Sequence, residues 1–155
     1  MLVPAAPHNR LRLLLLVVIQ SATVLTWAPQ LAAGDMFRGP VEARVVRVID
    51  GDTLSAEALL WPGNRLAVTV RLRGIDAPEL KSRCWRERRA ARVARAALEG
   101  IVGHGWVAIS NVSGGKYYGR VLADVTTLDG TALAPALLAL SVVRPYSGGR
   151  RDGWC

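Results

Sequence analysis

Hydrophobic and polar residues alternate along three stretches near the start of the globular part, and each stretch predicts a β-strand. The first is Pro40–Asp50, where an alternating start leads into a run of β-branched residues. The second is Asp52–Trp61, and a PGN turn signal separates it from the third, Arg65–Arg73. The core face of the third strand is predicted to comprise Leu66, Val68, Val70 and Leu72. Arg71 then lies on the opposite face, and the three strands form a meander.

The spacing of apolar residues becomes helical after the third strand. Ser82–Val102 is rich in alanine and arginine and predicts an amphipathic helix. Its predicted apolar stripe consists of Ala90, Val93 or Ala94, Ala97, Leu98 and Ile101. The five arginines between Arg86 and Arg95 fit a solvated face better than a nucleic-acid contact.

The remainder of the chain predicts two more strands and a short helix. The strands are Trp106–Ser110 and Tyr117–Leu128, joined by a hairpin turn with the sequence NVSGGK. A DG turn then leads into a short helix within Thr131–Val143. The order of three strands, helix, two strands and helix predicts a β-rich α+β fold. Its centre is a five-stranded, partly open OB-fold barrel, with a helix inserted after strand 3 and a short C-terminal helix.

The first 33 residues have the pattern of a secretory signal peptide. Arg10 and Arg12 precede a long apolar run, and the small-residue segment QLAAGD follows it. The uncharged run Leu13–Gly34 is also just long enough to span a bilayer, so an uncleaved membrane anchor is the alternative. Either outcome places the domain of residues 34–155 outside the cytoplasm, as a secreted or periplasmic protein or one held at the membrane.

The domain of residues 34–155 is strongly basic. It keeps 18 of the 20 Lys and Arg residues and all 12 Asp and Glu residues, which leaves a net charge of +6. Nearly all of these cations are arginines, whose guanidinium group binds two phosphate oxygens at once. A basic surface also promotes solubility, so charge alone leaves a nucleic-acid partner open.

The chain contains two cysteines, Cys84 and the C-terminal Cys155. In an exported protein an even number of cysteines favours a disulfide. Such a bridge would join the tail to the segment just after the APEL sequence. Two free thiols or an intermolecular link are the alternatives.

Carboxylates follow two of the predicted strands, although neighbouring acids repel one another unless a cation lies between them. VRVIDGDTL contains Asp50 and Asp52, and VRLRGIDAPEL contains Asp76 and Glu79. Hydrolysis of a phosphodiester requires positive charge at the phosphoryl oxygens and a group that activates water. A hard divalent cation with carboxylate ligands supplies part of that charge. The acids therefore indicate a divalent cation with a phosphodiester beside it.

Three sequence blocks, VIDGDT, VRLRGIDAPE and YYGR, resemble in order and spacing the signature blocks of the thermonuclease family, the staphylococcal-nuclease-like domains. The resemblance covers Val41–Tyr146, and the ending RPYSGGRRDGWC resembles the tail of many bacterial members. It implies an OB-fold, calcium-dependent endonuclease that cleaves the bond to the 5′ oxygen of DNA and RNA and leaves 3′-phosphates. DNA and RNA are then the substrates, and the protein is expected to be a monomer without a stable protein partner.

The resemblance also implies the role of each site residue. The Ca²⁺ ligands are the carboxylates of Asp52 and Asp76 and the main-chain carbonyl of Ala77. The catalytic residues are Glu79, as general base or water-orienting group, and Arg71 and Arg120, which hold the scissile phosphate. The substrate-binding residues are Tyr118, Tyr146 and Lys116, which replaces a lysine that the family often has at position 117. Asp50 is expected to be a structural or supporting acid.

Two other functions remain open. One is a catalytically weak nucleic-acid-binding OB module, and the other is a calcium-stabilised structural or envelope domain. Binding modules of this fold have usually lost an arginine, the glutamate or a metal-binding acid, and a structural domain has no need of Arg71 and Arg120. The presence of the complete set favours the enzyme.

Overall fold

The structure, a computed structural model, describes residues 36–115 and 119–155. The predicted leader, residues 1–33, and two of the predicted substrate-binding residues, Lys116 and Tyr118, lie outside these ranges. Within the described ranges, no helix has the length and apolar character needed to cross a membrane.

Seven strands and two helices are found among the described residues. Five of the strands and both helices follow the predicted order, and two further strands of two residues each were not predicted. The strands are β1 (Val41–Asp50), β2 (Thr53–Trp61), β3 (Asn64–Leu72), β4 (Ile75–Asp76), β5 (Trp106–Gly114), β6 (Arg120–Thr127) and β7 (Arg144–Pro145). The helices are α1 (Trp85–Val102) and α2 (Leu133–Ala139).

Five of the strands form a barrel in the order β1, β2, β3, β6, β5. All neighbouring pairs are antiparallel except β3 and β6, which are parallel. The predicted OB-type fold with its two helices is confirmed. The barrel is closed rather than partly open, because the first residues of β1 pair with β5, from Val41 opposite Ile109 to Arg44 opposite Trp106.

Small and branched side chains fill the barrel. The buried barrel residues include Ala43, Val45, Leu54, Ala56, Val70, Leu72, Val107 and Ile109. Alternation in β1 is interrupted because a register shift between Val45 and Arg47 inserts one extra residue. Val46 therefore points outward with 45% exposure, and Val48 is the next buried residue.

The predicted core face of β3 is wrong at the start of the strand. Val70 and Leu72 are buried, but Leu66 is 51% exposed. The adjoining end of β2 is equally exposed, with Leu60 at 56% and Trp61 at 71%. The tip of the β2–β3 hairpin extends past the barrel, so its alternating pattern has no core to face.

The predicted hairpin turn after Ser110 is also wrong, because β5 continues to Gly114. Asn111 adopts a left-handed conformation with φ of 49°, and the register with β6 shifts between Ser110 and Ser113. This β-bulge accommodates the turn-forming residues inside a longer strand.

Helix α1 begins at Trp85, three residues later than predicted, and its buried face is rotated from the predicted stripe. The buried residues are Ala91, Ala94, Leu98 and Val102, and Val93 is 53% exposed. Of the two alternatives at this position, Ala94 is therefore the core residue.

The turn between β1 and β2 packs directly against α1 at the buried Gly51. A Cβ atom at this position would lie 2.6 Å from the Cβ of Ala94 and 2.9 Å from the Cβ of Ala77. Only glycine allows this approach, which brings the residue after β4 beside the turn that carries Asp52.

Candidate nucleic-acid and metal site

Two carboxylates are buried where the β1–β2 turn meets the end of β4. Asp52 and Asp76 are each only 3% exposed. Asp52 Oδ1 accepts a hydrogen bond of 2.7 Å from the Thr53 hydroxyl, and Oδ2 accepts one of 3.0 Å from the Ala77 N–H. Asp52 therefore fixes the backbone that follows Asp76.

Arg71 lies between these two carboxylates. It is opposite Thr53 in the β2–β3 pairing and points away from the core, as the alternation predicted. Its Nη1 is 2.7 Å from Asp52 Oδ2, and its Nη2 is 3.6 Å from Asp76 Oδ1. Nη2 also donates a long hydrogen bond of 3.4 Å to the Ile75 carbonyl. The side chain of Arg71 is only 20% exposed, so this pairing is largely shielded from solvent.

Asp50 is electrostatically part of the same group. Burial raises the pKa of its carboxyl to about 6, and the hydrogen bond from the Gly51 N–H opposes this rise. The negative charges of Glu79 and Asp52 raise the pKa further, whereas the positive charge of Arg71 lowers it. Asp50 contacts the Gly51 backbone at 3.0 Å, which fits the supporting role expected of it.

Glu79 lies on the loop between β4 and α1, and Glu87 holds this loop in place. The Glu79 N–H donates a hydrogen bond of 3.1 Å to Glu87 Oε1, and the Ser82 hydroxyl donates one of 2.6 Å to Glu87 Oε2. Glu87 is in the first turn of α1, where a carboxylate interacts favourably with the positive end of the helix dipole. No site role was predicted for Glu87, because the N-cap residue is Cys84 and makes no side-chain capping bond, so no capping box marks this acid in the sequence.

The C-terminal tail places Arg151 against the same acids. Its Nε is 2.5 Å from Asp76 Oδ1, and its Nη1 is 2.5 Å from Glu79 Oε1. Its Nη2 donates a hydrogen bond of 2.9 Å to the Ala77 carbonyl. Burial lowers the pKa of the Arg151 guanidinium, but the contacts with Glu79 and Asp76 outweigh burial and raise the pKa overall. Arg151 is therefore a firmly charged cation.

Arg144 and Trp154 complete the surroundings of Asp76. The Trp154 indole N–H donates a hydrogen bond of 3.2 Å to Asp76 Oδ2, and Arg144 Nη2 is 3.5 Å from the same oxygen. The guanidinium of Arg144 stacks 3.9 Å from the centre of the Trp154 ring. A disulfide between Cys84 and Cys155 fastens the tail to the start of α1, the pairing that the even cysteine count favoured.

No contact with the acids was predicted for Arg144, Arg151 or Trp154. Their contacts depend on the path of the last twelve residues across the site. A signal for this path was the expected bridge from Cys155 to Cys84, which brings the tail to the segment after Glu79.

A groove of about 1060 Å³ adjoins the acids. Its lining includes Arg71, Glu79, Arg120, Tyr146 and Arg151. The groove thus brings together the three predicted catalytic residues, which come from β3, the loop before α1, and β6. Arg120 is the first residue of β6 and is half-buried.

Tyr146 is held at the groove through its backbone and its hydroxyl. Its N–H donates a hydrogen bond of 2.9 Å to the Gly74 carbonyl. Its hydroxyl donates one of 2.8 Å to the Gly149 carbonyl. The predicted partners Lys116 and Tyr118 lie outside the described residues, so Tyr146 is the one predicted substrate-binding residue that the structure places.

The chemistry of the oxygens beside this groove fits a hard divalent cation. The donors are the carboxylates of Asp52 and Asp76 and the carbonyl of Ala77, and calcium prefers oxygen ligands of these types. Asp76 Oδ1 is buried, and its described partners are the guanidinium groups of Arg151 at 2.5 Å and Arg71 at 3.6 Å. No group of three or more His, Cys, Asp or Glu side chains within residues 36–115 and 119–155 is arranged to hold a metal ion. Water or substrate oxygens would therefore have to complete the coordination.

No family model matches the chain, and no curated protein matches it.

Proposed function

We propose that the protein is an exported, calcium-dependent endonuclease that hydrolyses phosphodiester bonds of DNA and RNA. One observation carries the proposal: Arg71, Glu79 and Arg120 line a single groove, and Arg71 also contacts both buried carboxylates. Arg120 is more than 40 residues from Arg71 and Glu79 in the sequence, and all three have catalytic roles in the thermonuclease family that the chain resembles. The closed OB-type barrel on which they lie is an architecture that binds nucleic acids.

The groove supplies the positive charge that a phosphodiester requires. Arg71 and Arg120 come from the neighbouring parallel strands β3 and β6, so their guanidinium groups can approach one phosphate from the same wall. Planar guanidinium groups bind phosphate oxygens in pairs and stabilise the charge that grows in the transition state. The net charge of +6 on residues 34–155 also attracts a polyanion to the domain from a distance.

Glu79 is suited to activate the attacking water. Its side chain is 46% exposed and lines the groove, so water reaches the carboxylate. The water oxygen forms a bond to phosphorus as the bond to the 5′ oxygen breaks. Glu79 takes the proton from the water, and the leaving 5′ oxygen gains one from solvent. Calcium, when held by Asp52, Asp76 and the Ala77 carbonyl, would supply further positive charge to the phosphoryl oxygens.

A second candidate is a nucleic-acid-binding module with weak catalysis. The observation in its favour is that Arg71 and Arg151 already neutralise Asp52 and Asp76, so the folded protein does not need a metal to balance these charges. Such a module binds DNA in the groove and leaves it intact.

The test is digestion of single-stranded DNA, double-stranded DNA and RNA by the purified protein with calcium, with magnesium and with a chelator. Glu79→Gln is expected to lower turnover by about 10²–10⁴, the usual contribution of a general base. Arg120→Ala is expected to lower it by about 10³–10⁵, as for other arginines that stabilise phosphoryl transfer. The matched controls are Glu42→Gln and Arg47→Ala, which make the same changes at exposed positions of β1 outside the groove.

Calcium-dependent cleavage that falls in both site variants and not in the controls would support the enzyme. Near-normal cleavage by Glu79→Gln would show that Glu79 is not the general base. If the wild-type protein binds the same DNA on a filter but does not cleave it under any condition, the binding module is the correct alternative.

A further inference from the structure

All three nitrogens of the Arg151 guanidinium contact oxygens of the candidate site. They lie 2.5 Å from Asp76 Oδ1, 2.5 Å from Glu79 Oε1 and 2.9 Å from the Ala77 carbonyl. A divalent cation held by Asp76 and Ala77 needs the same carbonyl oxygen and the same carboxylate that Arg151 contacts. Because the guanidinium and the cation are both positive, close occupation of the same oxygens by both is electrostatically unfavourable.

We propose that Arg151 is a built-in competitor of the divalent cation, and that the two occupy the Asp76 carboxylate and the Ala77 carbonyl in alternation. The inference rests on the proposed function, from which it takes the cation. Departure of Arg151 also releases Glu79, whose carboxylate it holds in the resting protein. A single movement of the tail therefore opens the cation site and frees the general base.

Arg151 is better suited to leave the acids than Arg71 is. Arg71 is on a barrel strand, where neighbours on both sides fix its backbone, and its side chain is 20% exposed. Arg151 follows an exposed segment of the tail, and its side chain is 35% exposed. Movement of Arg151 breaks no strand pairing, whereas movement of Arg71 leaves Asp52 buried without its nearest cation.

The tail is held close to the acids on both sides of Arg151. After Arg151, Cys155 is bonded to Cys84; before it, the Gly149 carbonyl accepts a hydrogen bond of 2.8 Å from the Tyr146 hydroxyl. A group tethered by so short a segment has a high effective concentration at its target. Arg151 therefore competes with a metal ion more strongly than free guanidinium in solution does.

The experiment measures calcium binding by isothermal titration calorimetry to the wild-type protein, Arg151→Ala and Arg150→Ala. Arg150 is the matched control, because it is the adjacent residue, carries the same charge and is exposed. If Arg151 occupies the site in about nine molecules of ten, its removal lowers the apparent dissociation constant about tenfold. We therefore expect Arg151→Ala to bind calcium at least about tenfold more tightly than Arg150→Ala does.

A second variant keeps the inference testable if Arg151→Ala folds poorly. Arg151→Lys retains the charge but has fewer donors, so its dissociation constant for calcium is expected to be lower than that of Arg150→Ala. Where Arg151→Ala folds, millimolar guanidinium chloride should weaken its calcium binding back toward the wild-type value. Sodium chloride at equal ionic strength should not do so.

DNA cleavage assayed on the same samples separates this inference from the proposed function. If Arg151→Ala binds calcium no more tightly than the control and the wild type cleaves DNA with calcium, Arg151 does not compete with the cation but the proposed endonuclease function stands. If Arg151→Ala binds calcium more tightly and no sample cleaves DNA, the competition is supported and the endonuclease function is wrong. Absence of calcium binding in every variant overturns both.

Discussion

The ion pair between Arg71 and Asp52 gives the sharpest quantitative test of the site in its resting state. The two charges are 2.7 Å apart, and their side chains are 20% and 4% exposed. At an effective dielectric constant of about 20, their attraction is about 6 kcal/mol before desolvation is counted. Desolvation of both groups offsets part of this attraction. We expect a net coupling free energy of about 2–3 kcal/mol, near the upper end for residues in direct contact.

The assay is urea denaturation of the wild type, Arg71→Ala, Asp52→Ala and the double variant, all in the presence of a chelator. Each single variant leaves a buried charge without its nearest partner and is expected to lose about 3–5 kcal/mol of unfolding free energy. The double variant should lose clearly less than the sum of the two. The difference is the coupling free energy.

The matched control is the pair Arg95 and Glu99 on the surface of α1. These side chains are 2.9 Å apart, nearly the same distance, but are 42% and 46% exposed. A solvent-exposed pair spaced i,i+4 on a helix couples by about 0.3–0.5 kcal/mol. If the coupling of Arg71 with Asp52 is no larger than that of the surface pair, burial does not strengthen the contact and the account of the resting site is wrong.

Two further predictions concern the framework around the site. Gly51→Ala is expected to lower the unfolding free energy by about 1–3 kcal/mol, because its Cβ would meet Ala94 at 2.6 Å. The control is Gly100→Ala in helix α1, where an added Cβ would have no atom within 4 Å. It should be neutral or stabilising in the same denaturation assay, and equal effects of the two substitutions would contradict the close approach at Gly51. Reduction of the disulfide between Cys84 and Cys155, which are 71 residues apart, should lower the free energy of unfolding by about 4 kcal/mol in the chain-entropy model. A fall in Tm of about 15 °C is expected by calorimetry with reductant, and an unchanged Tm would show that the bridge does not stabilise the domain.

Local periodicity was sufficient to predict most of the secondary structure and the barrel. Strands β1 to β3 and helix α1 each bury one face, so apolar residues recur in the sequence with the period of a strand or of a helix. The errors occur where long-range pairing decides the outcome. Leu66 has a core-like pattern but lies on a hairpin that extends past the barrel, and Asn111 has a turn-like sequence but is accommodated by a bulge. Closure of the barrel by β1 and β5 likewise depends on residues more than 60 positions apart.

The site was only partly predictable for a related reason. Asp52 follows β1, Arg71 lies near the end of β3 and Asp76 ends β4, so short motifs at strand ends were enough to predict that these residues share a site. The contacts of Arg151 depend on the path of the tail, and no periodic pattern encodes that path. Arginine in a basic chain is also a weak signal, because most such residues are exposed on the surface, as Arg47 is.

The balance of charge in the site links the resting protein to the proposed reaction. In the resting protein at neutral pH, four carboxylates carry negative charge, and four arginines at these acids and in the adjoining groove carry positive charge. The carboxylates are those of Asp50, Asp52, Asp76 and Glu79, and the arginines are Arg71, Arg120, Arg144 and Arg151. Entry of a divalent cation into this neutral cluster would leave two uncompensated positive charges in a largely buried place, which is costly. Departure of Arg151 removes one of them, and a bound phosphodiester removes the other. The proposed active state is then neutral as well. The exchange of Arg151 for a cation thus favours substrate binding after the cation has entered, since only then does the cluster carry the positive charge that a phosphate neutralises.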